Sequence, residues 1–99
     1  MKLEEKMKNI ADKYFVCKKQ YRLSLISSGE NDYDNPYYIF CEDVELAFNK
    51  LDKKDKFIIN NEYFFGDYFE WWKQIYKKKD FIQLRKIAIK NFLRLYYEN

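Results

Sequence analysis

Histidine is absent from this chain of 99 residues, and there are only two cysteines, Cys17 and Cys41. Histidine is the commonest proton shuttle near neutral pH, and structural zinc sites are normally built from four cysteine or histidine ligands. Two thiols without an imidazole make neither a standard zinc site nor an activated cysteine nucleophile. A glycine-rich phosphate loop is also missing. We therefore predict no metal, no cofactor, no catalytic residue and no enzymatic activity.

Glycine and proline are also scarce, with two glycines and one proline in the whole chain. A sheet of many short strands normally needs more of these turn-forming residues. Aromatic residues, by contrast, make up 21% of the chain, and each contributes a large area to a core. A chain of this length is one domain's worth. The composition therefore predicts a single all-α domain over residues 1–99.

No apolar run reaches the 18 or so residues that would indicate a transmembrane helix. The N-terminus is charged and lacks the apolar core of a secretory signal. Cys17 and Cys41 lie on the apolar stripes of predicted helices, as core thiols in a reducing compartment would. These features predict a cytoplasmic protein that has no membrane contact.

Residues 1–50 predict a pair of helices. The first runs from about residue 3 to 25, with an apolar seam whose members are three or four residues apart: Leu3, Met7, Ile10, Tyr14, Cys17 and Tyr21. Phe15 and Val16 widen this seam, which favours packing in a globule. A homodimer through this long helix stays open as an alternative. Asn35 and Pro36 have the residue types of an N-cap and a first helical position, and they predict a second helix over about 36–51.

Residues 51–99 predict three more helices. Asp52 is a candidate cap for the third, with Asp55 in the capping-box position and Gly66 as its stop. The pattern at 67–70 predicts the start of a short fourth helix that carries Trp71 and Trp72. After a basic turn at 77–79, Asp80 is a candidate cap for a fifth helix over about 81–96. The expected fold is therefore about five helices, with the long N-terminal helix packed on a C-terminal three-helix unit.

Positive charge is concentrated near the C-terminus. Residues 1–50 contain 8 basic and 9 acidic side chains, whereas residues 73–94 contain 8 basic side chains and one acid, Asp80. A basic block on a helical hairpin suits a polyanionic partner such as DNA or RNA. The alternative is a lysine face that is simply solvated.

The order of the last three elements, a helix, a short helix, a basic turn and a longer helix, is that of a helix-turn-helix. Its apolar framework resembles region 4 of bacterial sigma factors and the related phage late-gene activators. The residues that carry this resemblance are Leu51, Ile58, Ile59, Tyr63, Phe64, Phe81, Leu84, Ala88, Ile89 and Phe92. They span about residues 51–93, roughly half the chain. The aromatic string from Tyr63 to Leu93 is also similar to small mycoplasma-type proteins, which implies no particular activity.

The sigma-like resemblance implies a DNA-binding transcription regulator, with RNA polymerase as a further partner. In such a protein the start of the last helix reads base edges, which implies that role for Lys78, Lys79 and Gln83. The remaining basic side chains of this region would lie near phosphates or in solvent: Lys77, Lys86, Lys90 and Arg94, with Arg85 in either group.

The tryptophans leave two interpretations open. Trp71 and Trp72 are either core residues or the hydrophobic anchors of an interface. In the second case the chain is a protein-interaction module, whose basic hairpin meets an acidic partner without any DNA readout. An RNA-associated protein would have the same lysine block.

Overall fold

The computed structural model describes residues 2–28, 34–65 and 70–98. Four α-helices lie in these ranges, and no strand does: α1 (Leu3–Ser28), α2 (Pro36–Asn49), α3 (Lys53–Ile59) and α4 (Lys78–Glu98). The all-α prediction is therefore confirmed. None of these helices has both the length and the apolar character needed to cross a membrane.

The described residues contain four α-helices rather than five. The expected short fourth helix is a single 3₁₀ turn, Trp71–Gln74. Glu70 immediately before it has left-handed backbone angles, φ 58° and ψ 35°, which do not continue a right-handed helix. The third helix ends in a π-helical turn, Asn60–Phe64, in which the Phe65 amide donates to the Asn60 carbonyl at 2.6 Å. The predicted stop at Gly66 and cap at Asp67 lie outside the described residues.

Two helix starts follow their predicted caps. The Asn35 side chain accepts a hydrogen bond from the Tyr37 amide at 2.9 Å, and Pro36 occupies the first helical position. The Asp52 side chain accepts from the Asp55 amide at 2.8 Å. Each cap satisfies a backbone N–H that the first helical turn leaves unpaired.

The start of α4 differs from the prediction by three residues. The helix begins at Lys78, so Lys78 and Lys79 belong to its first turn and only Lys77 precedes it. Asp80 lies inside that turn rather than at the cap position. Its carboxylate is there favoured by the partial positive charge of the helix N-terminus.

Among the described residues, one hydrophobic core draws on all four helices and contains twelve buried side chains: Met7, Ile10, Val44, Ala47, Leu51, Ile58, Ile59, Phe81, Ala88, Ile89, Phe92 and Leu93. Five of these belong to α4, whose long buried side packs against each of the other helices. Phe92 is the largest of the side chains that are fully buried. The position of α4 is therefore set by the core.

A polar contact supplements this packing between α3 and α4. Asp55 is buried, and its Oδ2 accepts a hydrogen bond from Asn91 Nδ2 at 2.8 Å. The Asp55 side chain thus bonds to the neighbouring helix, and no capping-box bond back to Asp52 is found among the described contacts. A buried carboxylate is tolerated because it has this partner.

The predicted seam of α1 faces the core, with Met7, Ile10 and Cys17 buried. Phe15 and Val16 do not widen the buried side, since they are 49% and 59% exposed. That part of the sequence interpretation is wrong, because Val16 is exposed to solvent and Phe15 lies beside an open cleft rather than in the core. A homodimer through α1 stays a prediction.

Replacing Phe92 by alanine should lower the free energy of unfolding by about 3–5 kcal/mol, because a large buried ring leaves a cavity that the neighbours fill only in part. Ile87→Ala on the exposed side of the same helix should change it by less than about 0.5 kcal/mol. Urea denaturation followed by circular dichroism measures both. Equal effects of the two substitutions would contradict the assignment of the buried side of α4.

Candidate nucleic-acid interface

The outward side of α4 carries a row of polar and basic side chains: Lys79, Gln83, Lys86, Lys90 and Arg94. They are spaced by four, three, four and four residues, which places them on one side of a helix. All five are exposed, whereas the opposite side contains Phe81, Ala88 and Phe92. At 1.5 Å per residue the row is about 22 Å long. We call these five residues the basic row.

Lys77 and Lys78 extend the positive charge around the start of α4, and both are exposed. With Lys79 they place three ammonium groups at a helix N-terminus, where the helix dipole is already positive. Cations at this end are locally unfavourable, while an anion there would be stabilised. The start of α4 is therefore strongly positive, with Asp80 as the acidic residue of its first turn.

Arg94 at the far end of the basic row forms an ion pair with Glu98, with 3.6 Å between Nη1 and Oε2. Both side chains are more than half exposed. Exposed pairs of this kind contribute little free energy. The pair therefore leaves Arg94 available to exchange Glu98 for another anion.

Arg85 lies elsewhere. It points to the packed side of α4, where its Nη1 donates to Glu62 Oε2 at 3.0 Å and its Nη2 lies 3.8 Å from Glu4 Oε1. Its guanidinium also covers the Phe81 ring at 5.6 Å. The structure thus gives Arg85 partners inside the protein and separates it from the basic row.

Glu62 also holds one of the two tryptophans. Its Oε1 accepts a hydrogen bond from Trp71 Nε1 at 3.0 Å, while Oε2 accepts from Arg85. The Glu62 side chain is only 19% exposed. Charge-assisted hydrogen bonds are strong when water is largely excluded. One carboxylate therefore ties the π-helical turn to the 3₁₀ turn and to α4, and we call this group the Glu62 clasp.

Trp71 and Trp72 are half-buried and pack around Phe81 in the first turns of α4. The Trp72 ring is stacked on Phe81 with centroids 4.8 Å apart, and Trp71 meets Phe81 edge-to-face at 5.5 Å. Aromatic pairs in these geometries add stability beyond the area they bury. The two tryptophans therefore support the start of α4. A role for them as contacts to a partner stays a prediction.

Lys2 is a residue near the interface that the sequence pattern did not indicate. A small cleft of about 250 Å³ between the start of α1 and α4 is lined by Lys2, Leu3, Glu4, Lys86 and Ile89. Lys2 is exposed there and lies beside the basic row. Only tertiary packing brings these two ends of the chain together, so no local motif could have identified it.

The cysteines take no part in this surface. Cys17 and Cys41 are both buried and unpaired by any disulfide. Burial, helped by the neighbouring Cys17, raises the pKa of the Cys41 thiol. In the described ranges, no group of three histidine, cysteine, aspartate or glutamate side chains is placed to hold a metal ion.

Comparison with protein-family models, with curated proteins and with solved structures returns no match to this chain. The resemblance to sigma region 4 therefore stays a prediction that depends on the residues themselves.

Glu62→Ala should lower the free energy of unfolding by about 1–3 kcal/mol, because it leaves the half-buried Arg85 and Trp71 donors without their acceptor. It should also shift one of the two indole N–H signals in the NMR spectrum. Glu98→Ala, which removes the exposed partner of Arg94, is the matched control and should change stability by less than about 0.5 kcal/mol. Unchanged indole signals in Glu62→Ala would argue against the clasp.

The Tyr63 phenol lies next to the clasp in the chain, and burial raises its pKa to about 12, although nearby Arg85 opposes the shift. The folded state therefore holds the phenolic proton more tightly than the unfolded state, whose pKa is about 10. The contribution of the Tyr63 phenol to the free energy of unfolding is fully present below pH about 10 and is lost as the pH rises through about 12. Tyr63→Phe should lessen this alkaline loss, as measured by urea midpoints at pH values on both sides of 10. An identical loss in the two proteins would contradict it.

Proposed function

We propose that the basic row of α4 binds nucleic acid, with double-stranded DNA as its partner. The observation that carries this proposal is the alignment of Lys79, Lys86 and Lys90 with Gln83 on one exposed side of a helix whose other side is fixed in the core. An α-helix that exposes this chemistry along one side has the width that the DNA major groove admits.

The spacing of the basic row suits the charge pattern of a nucleic acid. Successive members lie about 5–6 Å apart along the helix surface. Lysine and arginine at such intervals can each neutralise a phosphate along one strand. Gln83, near the start of the row, offers the amide pair that bonds adenine, and Lys79 can donate to guanine. Phosphate contacts would thus orient the helix while its first turns face bases.

The support beneath the helix favours binding without rearrangement. Phe81 is held between Trp71 and Trp72, and Arg85 is held by Glu62. A surface that is already in its binding geometry loses less conformational entropy when a partner docks. Arg85 therefore acts as a positioning residue in this proposal rather than as a contact to DNA.

The resemblance to sigma region 4 supports a regulatory role in transcription, with RNA polymerase as a second partner. The support comes from the apolar framework, of which Ile58, Ile59, Ala88 and Phe92 are buried. The short helix of that family is replaced here by the four-residue turn Trp71–Gln74. The approach of α4 to DNA would therefore differ from the family's.

An acidic protein partner is the second candidate, favoured by two apolar side chains on or beside the same surface. Ile82 and Ile87 are 46% and 50% exposed, and Ile87 lies next to Lys86 in the middle of the helix. Exposed apolar groups among cations are common where a protein docks, because the apolar contact contributes affinity and the charges select the partner.

The test is a series of electrophoretic mobility shifts with duplex DNA, RNA and heparin across salt concentration. If Lys77, Lys86, Lys90 and Arg94 each contact a phosphate, affinity for duplex DNA should fall by roughly 150-fold between 50 and 200 mM salt. Lys86→Gln/Lys90→Gln should reduce the slope of log affinity against log salt by about 2. Lys8→Gln/Lys53→Gln, on α1 and α3, makes the same charge change at exposed sites that are not part of the row and should leave the slope nearly intact.

Equal losses in the two double variants would show that only net charge matters, and they would contradict the proposed surface. Absence of any shift with duplex DNA at low salt would overturn the DNA proposal and favour the acidic protein partner. Tighter binding to RNA than to DNA would keep the surface and change the partner.

A further inference from the structure

A second surface lies on another part of the molecule. An open cleft of about 730 Å³ is bounded by α1, α2 and the π-helical turn, and no residue of α4 lines it. Its volume is within the range of small-molecule sites. It shares no residue with the basic row, so different variants test the two surfaces.

Aromatic rings form the wall of this cleft. Phe64 is met edge-to-face by Tyr14 at 5.3 Å and by Phe48 at 5.8 Å, and Phe15 lies 6.2 Å away in a tilted arrangement. Phe65 beside it is 70% exposed and Phe15 is 49% exposed. The inner rings are held by their neighbours while the outer two present open faces. Such faces stack well against a planar ring.

Cations line the α1 side of the same cleft. Phe15 is followed at helical spacing by Lys18, Lys19 and Arg22, which therefore share its side of α1. Lys18 bonds Glu45 Oε1 at 2.9 Å, and Tyr14 donates its hydroxyl to the same oxygen at 2.9 Å. The negative charge of Glu45 is therefore neutralised by Lys18 within the protein. None of the ion pairs between described residues involves Lys19 or Arg22.

We infer that this cleft binds a nucleoside phosphate, with the base against Phe15 and Phe65 and the phosphate on Lys19 and Arg22. The ligand is either a free nucleotide or the end of a single strand, since both present the same chemistry. Asn49 and Asn60 also line the cleft, and their amides match the donors and acceptors of a base edge. Base stacking with phosphate neutralisation is the usual combination for such ligands.

A second copy of the chain suits this cleft less well. In a two-fold dimer the same patch meets itself, so Lys19 and Arg22 would face their own counterparts. Like charges brought together in this way oppose association. A purely apolar partner would cover Phe15 and Phe65 but would remove both cations from water without compensation.

Isothermal titration calorimetry with AMP, adenosine and ribose 5-phosphate tests the inference. AMP should bind about 5- to 100-fold more tightly than ribose 5-phosphate, which lacks the stacking base. Lys19→Gln/Arg22→Gln should remove the preference for AMP over adenosine. Phe65→Ala, at a largely exposed site, should weaken the binding of AMP without unfolding the chain. Circular dichroism checks the fold. Lys86→Gln/Lys90→Gln is the matched control and should leave AMP binding unchanged.

A short oligothymidine serves as the arm that separates the two sources of the ligand. If oligothymidine binds more tightly than AMP and Phe65→Ala abolishes this binding, the ligand is a strand end. If oligothymidine binds more weakly than AMP, the ligand is the free nucleotide. Failure of all these probes at millimolar concentration would overturn the inference. AMP binding that is unchanged in the Lys19/Arg22 and Phe65 variants would also overturn it. So would a protein that binds no ligand but self-associates in a way that Phe65→Ala abolishes. None of these outcomes affects the result for the basic row, which α4 variants test separately.

Discussion

The carboxylate of Glu62 joins three separate elements of the fold. It accepts from Arg85 on α4 and from Trp71 in the 3₁₀ turn, while it is itself part of the π-helical turn after α3. Glu4 at the start of α1 approaches the same guanidinium. Because a half-buried charge is costly without a partner, these elements are constrained to meet. The core sets the orientation of α4, and this contact reinforces it between the two turns and the helix.

The two sides of α4 differ in burial and in charge. Phe81, Ala88 and Phe92 are buried and belong to the common core. Lys86 and Lys90 point the other way and contribute nothing to that core. A surface lysine adds little to stability, so its charge is available for a partner. The same helix can therefore carry a binding surface without loss of packing.

Aromatic residues serve two different purposes in this small chain. Around Phe81 they close the contact between the 3₁₀ turn and α4. Around Phe64 they form the wall of an open cleft, at whose edge Lys19 and Arg22 form no ion pair with a described residue. The difference lies in exposure, because Phe15 and Phe65 keep faces in contact with water whereas Phe81 does not. Large exposed aromatics are unfavourable for a monomer and commonly mark contact surfaces.

Local sequence determined the helical class, the caps at Asn35 and Asp52, and the buried side of α4, whereas the buried side of α1 is narrower than predicted. These properties follow from periodicity and from side chains that bond the nearest backbone amides. The lysines and Gln83 of this region were named from the sequence, but their alignment in one row was not, because Lys79 was expected in the turn before the helix.

Tertiary structure alone decided the rest. Arg85 has the same residue type as its basic neighbours, but it lies on the packed side, where the distant Glu62 neutralises it. Phe15 matches a buried pattern and is nevertheless exposed, because α2 and the π-helical turn leave an open cleft beside it. The left-handed Glu70 replaced a predicted helix by one turn. For Arg85 and Phe15 the outcome depends on contacts between residues far apart in the chain, whose energies no local pattern contains.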